Sequence, residues 1–200
     1  LSFYIRQFFR LFSQNTINSF MITEKTINWL RNCRPADRPW LLNINYLKPH
    51  PKWHVLSQPY DFYKNKIQSL PSKYLQAFDE LNPVEQAQSI HTCGFAQNDN
   101  KIIDSHVAYH SAVEEVDMHV GKILDCLDDL EMLNEVLVIY SADHGEMARA
   151  HGIWGKSTLY EDSVRIPFIM SGPGVPKAQV VEKPVTLLNI FPTIASAFGL

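Results

Sequence analysis

Val136-Leu137-Val138-Ile139-Tyr140-Ser141-Ala142-Asp143-His144-Gly145-Glu146 decides how this chain folds. Its first five residues are aliphatic, β-branched or aromatic and carry no charge, the pattern of a buried strand. Ser141-Ala142 closes the run, and an acid, an imidazole and a glycine follow at once. In open α/β sheets ligands collect outside the carboxyl ends of strands. A carboxylate and an imidazole delivered there, with a glycine that lets backbone approach closely, suit a divalent cation. The plainer alternative is an aspartate capping the next helix beside a surface histidine. Further on, Gly152-Ile153-Trp154-Gly155-Lys156 brings a lysine back on a glycine-hinged loop. A cation and an ammonium together can hold a tetrahedral oxyanion. At an effective dielectric near 20, an ammonium about 4 Å from a full negative charge gains roughly 4 kcal/mol before desolvation.

Working outward, Thr23 to Asn32 reads as a short helix with Thr23 as N-cap and Ile27 and Leu30 on one face. A proline-broken turn over Cys33 to Pro39 feeds a strand over Trp40 to Tyr46. Residues 47–103 are aromatic, punctuated by proline and weakly periodic, which predicts a functional loop or lid region. Asp104 to Leu130 carries Val113, Val116, Val120, Ile123, Leu127 and Leu130 at spacings of three and four, a helix with an apolar stripe. The strand over 136–142 follows, then the glycine loop to Lys156 and a short helix near Leu159 to Ser163. A strand from Arg165 to Ser171, a Gly172-Pro173-Gly174 turn and a helix from Leu187 to Phe198 complete the chain. Strands alternating with helices predict an α/β fold, a mostly parallel sheet flanked by helices.

Composition narrows the function classes. Two hundred residues make one domain, and 46% hydrophobic against 20% charged residues is a globular balance. A net charge of −3 and a pI near 6.2 give no electrostatic footprint for nucleic acid. No apolar run approaches the ~20 residues of a membrane helix. The N-terminal LSFYIRQFFRLF is interrupted by Arg6, Gln7 and Arg10 and makes no clean signal peptide. Without an initiator Met, the native chain is expected to start elsewhere. Cys33, Cys93 and Cys126 stand far apart, which argues against a zinc knuckle or a disulfide framework and favours a reducing, cytoplasmic compartment. Homo-oligomerisation is left open.

From Tyr140 to Val175 the chain reads YSADHGEMARAHGIWGKSTLYEDSVRIPFIMSGPGV. This ordered series of D-H-G, H-G-x-W-x-K, Y-E-x-S-x-R-x-P and G-P-G resembles the sulfatase family of the alkaline-phosphatase superfamily. Two pieces fit in order on either side. Pro39 to Tyr46 runs into Lys48-Pro49-His50-Pro51, and Pro184 to Thr193 carries Asn189 where the family usually has an aspartate. Pro59-Tyr60-Asp61-Phe62-Tyr63 and Leu70-Pro71 resemble the substrate-side insertion of the choline-sulfatase and phosphonate monoester hydrolase branch. The resemblance implies an alkaline-phosphatase-like fold and metal-dependent hydrolysis of small anionic sulfate esters by attack of a formylglycine hydrate. It implies Asp143 and His144 as metal ligands, for calcium or alternatively manganese. His50 and Lys156 become catalytic and substrate-binding, touching the sulfate and its leaving oxygen.

Several residues invite plainer readings. Cys33-Arg34-Pro35-Ala36-Asp37-Arg38 resembles the formylglycine signature C-x-P-x-R, but its arginine falls one place late and Asp37 sits in its position. No nucleophile is therefore assigned in this chain. His106 and His110 lie four apart on a helix, without H-E-x-x-H, and predict a solvated face; the spacing from His110 to His119 carries nothing more. His151 reads as loop structure, Glu161 and Arg165 as an ion pair or cap, and Lys48 as surface.

The family's opening aspartate pair, its nucleophile with its arginine, and a further lysine and histidine have no counterpart in residues 1–40. The expectation is a partial catalytic domain over residues 1–200, incomplete at both ends and inactive alone. Residues 47–103 would form the substrate side, and 104–200 the metal-site strand with its neighbours. Two alternatives stand beside the sulfatase reading: a phosphonate monoester or phosphodiester hydrolase of the same superfamily, and a non-catalytic metal-binding remnant.

Overall fold

The computed structural model describes residues 19–92 and 98–200; the N-terminal LSFYIRQFFRLF and Cys93 lie outside them. The described residues divide into two compact units, one of residues 19–45, 122–139 and 169–200, the other of residues 46–92, 98–121 and 140–168.

In the first unit, α1 spans Ser19–Asn32 and buries Ile22, Thr23, Thr26 and Leu30, one face of a helix. Thr23 is therefore not the N-cap. It lies inside the helix, where its hydroxyl donates to the Ser19 carbonyl at 3.0 Å, the bond a threonine makes when its i−4 carbonyl is in reach. Trp29 packs edge-on against Trp40 with ring centroids 5.3 Å apart. The end of the long helix α4 (Asp99–Asp129) adds buried Ile123, Cys126 and Leu127 to this unit. Arg31 meets Asp129 at 2.6 Å, an exposed pair worth little in water.

Residues 40–47 alternate between half-buried and exposed, the period of a strand. They nevertheless join no ladder among the described residues, so the strand expected over Trp40 to Tyr46 is an extended segment. Among the described residues, pairing is limited to β1 (Val138–Ser141) and β2 (Phe168–Ser171), a two-stranded sheet. Both strands are shorter than the apolar runs that announced them. Past β2, a 3-10 turn over Leu187–Asn189 leads into α6 (Ile190–Ala197), in place of one continuous helix.

In the second unit the expected loop over 47–103 is largely helical. It holds α2 (Ser57–Lys66), 3-10 turns at Ser72–Tyr74 and Phe78–Glu80, and α3 (Pro83–His91). The start of α3 is written in Asn82-Pro83-Val84-Glu85. The Asn82 side chain accepts the Val84 and Glu85 N–H groups at 3.0 Å each, and the Glu85 carboxylate accepts the Asn82 N–H at 3.0 Å. Proline fits the first helical position because its missing N–H has no partner there anyway.

The long helix α4 spans Asp99–Asp129, beginning before Asp104 because the Asn98 side chain accepts the Lys101 N–H. Of its expected stripe, Val116, Ile123 and Leu127 are buried, Val120 and Leu130 half-buried, and Val113 is 40% exposed. Ile102, Val107 and Ala112 join the buried face together with His106, Ser111, Glu115 and His119. Ser111 donates to the Val107 carbonyl at 2.6 Å, and the Glu115 carboxylate forms an ion pair with Lys48 at 2.5 Å. Lys48 is thus a partner of a buried carboxylate and not a surface residue. His106, expected on a solvated face, is buried and shares a 2.7 Å bond with the Ala148 carbonyl. His110 stays on the exposed side, its ring stacked on Tyr63.

Burial pushes the His106 imidazole below its ordinary value near 6.5, against the smaller opposing pull of the Ala148 carbonyl. The folded ring therefore takes a proton less readily than the unfolded one. Its contribution to stability is complete above pH 6.5 and declines as the pH falls below it. His106→Gln should accordingly flatten the fall in Tm between about pH 7 and pH 5 relative to the parent, followed by circular dichroism; equal slopes would assign the acid sensitivity to other groups.

Candidate active site

The turn after β1 is built by close backbone contact. Gly145 donates its N–H to the Ser163 carbonyl at 2.7 Å, and a Cβ at this position would lie 2.2 Å from the Asp162 carbonyl oxygen. Only glycine fits. The turn thereby presents Asp143 outward, its side chain 85% exposed and one oxygen accepting the His144 N–H at 3.1 Å. The His144 ring places Nδ1 2.9 Å from the Gly145 carbonyl. A carbonyl only accepts, so the proton belongs on Nδ1, and Nε2 keeps its lone pair when the ring is neutral. That nitrogen lies 3.5 Å from an Asp143 oxygen. Two acceptors thus face each other, with the imidazole braced by a backbone carbonyl as metal-bound histidines usually are. The donor types fit a divalent cation, yet no group of three or more His, Cys, Asp or Glu converges among the described residues. The pair is part of a cation site at most.

From Ala148 to Ser157 the chain adopts a series of left-handed residues: Ala148, Arg149, His151, Gly152, Gly155 and Ser157 all have positive φ. Four of them carry side chains, and each costs roughly 1–2 kcal/mol. The loop is held because its own side chains are core. Met147, Ala150 and Ile153 are buried against Tyr74 and Tyr160. The buried Arg149 guanidinium donates to the carbonyls of Tyr74 and Gln76 at 2.7 and 3.2 Å. Glu146 accepts the N–H groups of Gly155 at 2.6 Å and Ala148 at 3.2 Å. Met147 donates to the Gly155 carbonyl at 2.7 Å.

The loop is also tied to α3. Thr92, just past that helix, accepts the Trp154 N–H at 3.2 Å. Glu85 receives the Tyr160 hydroxyl at 2.6 Å and lies 3.0 Å from His151 Nδ1, whose ring stacks on Tyr160 at 4.0 Å. Burial alone would push the Glu85 carboxyl up; the Tyr160 hydroxyl, the Asn82 N–H and His151 outweigh it and hold the group below its ordinary value. His151 is thus loop structure, as expected. Glu161 and Arg165 form no side-chain ion pair; Arg165 donates its backbone N–H to the Glu161 carbonyl, closing α5 (Glu161–Val164).

Between these elements lies an open cavity of about 400 Å3, lined among others by His50, Gln88, His91, Glu146, Trp154 and Lys156. His50 and Lys156 therefore share one cavity, whereas Asp143 and His144 line no part of it. His50 turns Nδ1 to the Pro51 carbonyl at 2.5 Å, leaving Nε2 without a partner among the described residues. The half-buried Lys156 makes no hydrogen bond or ion pair among the described residues, so its ammonium is available to an anion. Gln88, His91 and Glu146 were not nominated from sequence. The capping signature at Asn82 would have placed the first two on one helix, and Glu146 directly adjoins the D-H-G triplet. The cysteine of the Cys33 decoy is exposed at the end of α1 and free.

The sequence profile of the family described as "Sulfatase" matches residues 12–200. Arylsulfatase K of Rattus norvegicus is 30% identical over 190 residues, covering 89% of this chain and 34% of the relative. Choline-sulfatase of Rhizobium meliloti (strain 1021) is 27% identical over 186 residues, covering 91% and 36%. Among solved structures, a phosphonate monoester hydrolase from Silicibacter pomeroyi superposes with a TM-score of 0.71 at 25% identity, covering 89% of this chain and 38% of that one. The chain therefore spans about a third of the length of the relatives it matches.

If the free ammonium holds a tetrahedral anion, Lys156→Ala should weaken binding of inorganic sulfate by about tenfold or more, roughly 1.4 kcal/mol, in titration calorimetry. Unchanged affinity would remove Lys156 from the site.

Proposed function

Because the chain belongs to the sulfatase family, we propose that the full-length protein hydrolyses sulfate esters and that this chain supplies part of the site. The observation that carries the reading is the unpartnered Lys156 ammonium sharing a cavity with His50. In this mechanism Lys156 binds the sulfate oxygens and keeps the ester oriented in the cavity. An ammonium already in place stabilises charge as it builds on the transferred group, without reorganisation at that moment. His50, steadied through Nδ1 by the Pro51 carbonyl, directs Nε2 at the leaving oxygen. When protonated, Nε2 passes its proton to that oxygen as the sulfur–oxygen bond breaks, so that a neutral alcohol departs. Gln88 and His91, on the α3 wall of the same cavity, meet the alcohol.

Asp143 and His144 would hold a divalent cation, calcium or else manganese, together with ligands from another segment of the full-length protein. When bound, such a cation lowers the charge on the sulfate oxygens. The nucleophile, a formylglycine in this proposal, also comes from another segment, where β1 and β2 would join a larger, mostly parallel sheet. A cytoplasmic location belongs to the same proposal, from the widely spaced cysteines; among the described residues no helix is long and apolar enough to cross a membrane.

A second reading is favoured by one observation, the superposition on a phosphonate monoester hydrolase. Phosphonate and sulfate esters present the same tetrahedral oxygens to Lys156. The two readings separate when the full-length protein is assayed on an aryl sulfate and on an aryl phosphonate monoester. The expected result is faster turnover of the sulfate, with Lys156→Ala lowering kcat/KM by about 10²–10³. Preference for the phosphonate would transfer the assignment. Binding of calcium or manganese with hydrolysis of neither ester would leave a metal-binding remnant.

A further inference from the structure

We infer that Glu146 is a positioning residue that sets the place of Lys156 by clamping the peptide of Gly155; this rests on the anion-binding role proposed for Lys156. Gly155 immediately precedes Lys156 and is held on both sides. Its N–H enters the Glu146 carboxylate at 2.6 Å, and its carbonyl receives the Met147 N–H at 2.7 Å. The same carboxylate oxygen also takes the Ala148 N–H at 3.2 Å. One oxygen thus joins the first and last parts of the left-handed loop across its base, bringing residue 155 back beside residue 146.

Gly155 needs this clamp more than an ordinary residue would. Its φ is +82°, and no atom lies within 4 Å of where a Cβ would stand, so neither side-chain packing nor crowding fixes its backbone. Glycine also moves among more conformations than any other residue. The two hydrogen bonds are the contacts that choose one. Lys156, whose ammonium makes no bond of its own among the described residues, inherits its direction from that peptide. A side-chain oxygen at this reach suits the task because it has lone pairs for both N–H groups at once. Glu146 also lines the cavity, so displacement of its side chain would be felt at the anion itself.

A clamp and a chemical role make opposite demands on substitutions. Glu146→Gln keeps an oxygen acceptor at the same reach and discards the charge. Glu146→Asp keeps the charge and withdraws the acceptor by one methylene. The test is a double-mutant cycle in the full-length protein, combining each of Glu146→Gln, Glu146→Asp and Glu146→Ala with Lys156→Ala. It is read by kcat/KM on an aryl sulfate and by the calorimetric Kd for inorganic sulfate, which needs no turnover. The expected result is that Glu146→Gln stays within about threefold of the parent. Glu146→Asp and Glu146→Ala should lose about tenfold or more in both readouts, and less than about twofold once Lys156 is already alanine. Equal losses in both backgrounds would show Glu146 acting independently of Lys156 and overturn the inference. Loss in Glu146→Gln with retention in Glu146→Asp would overturn it in favour of a charge-dependent role. Should Glu146→Ala fail to fold, the Gln and Asp pair carries the same decision. A parent protein that binds sulfate without hydrolysing any ester would sink the sulfatase reading while leaving the Kd cycle to judge the clamp.

Discussion

A backbone bent repeatedly into the left-handed region stays bent only if something stronger than its strain holds it. In the loop from Glu146 to Ser157 that hold is burial of the loop's own side chains. Met147 and Ile153 are at most 1% exposed, and burying a side chain of that size gains about 1.5–3 kcal/mol. The Arg149 guanidinium adds two bonds to carbonyls in the turn beyond α2. Charged hydrogen bonds of that kind contribute about 1.5–3 kcal/mol each, of the same order as the strain they offset. The cavity-lining residues Trp154, Gly155 and Lys156 then ride on a segment whose other face is core. A site residue on a long, freely moving loop would lose affinity to the entropy of ordering it; here that ordering is done during folding.

The neighbouring elements serve the same end with different chemistry. The Gly145 turn lets two backbones touch, which fixes where the Asp143 and His144 pair emerges. Near His50, the ion pair of Lys48 with the nearly buried Glu115 fastens the entering chain to α4. Such a pair contributes little net stability, because desolvation cancels most of the attraction. Its value is positional: a buried carboxylate tolerates few alternative partners.

Much of this was legible in the sequence, and what was not has identifiable causes. The D-H-G triplet at a strand end, the glycine loop to Lys156 and the structural role of His151 were readable because each depends on neighbours in the chain. The polar residues buried along α4 were not. His106 and His119 count as polar in any hydrophobic pattern, yet they are buried, His106 against a carbonyl forty-two residues away that no local window contains. The segment over 40–47 kept the two-residue period of a strand, but a period reports which side chains are covered and says nothing about who supplies the ladder. The helices within residues 47–103 escape a periodicity reading because they are short and their apolar spacing is irregular. The decisive cue was the asparagine, proline and glutamate at 82, 83 and 85, a cap and not a stripe. Glu146 was visible beside the triplet, but a carboxylate whose work is to bind two amides has no signature until the loop closes on it.

The web around Glu85 has a consequence for how this member of the sulfatase family can change. The carboxylate ties the first turn of α3 to Tyr160 and to His151, and Thr92 ties its last turn to Trp154. The α3 wall of the cavity and the loop that carries Lys156 are therefore one mechanical part. A lineage that reshaped the cavity by shifting α3 would drag the loop along and displace Lys156 with it. Substitutions at the tips of Gln88 and His91, which leave the helix where it is, offer the route by which preference can drift while the chemistry persists.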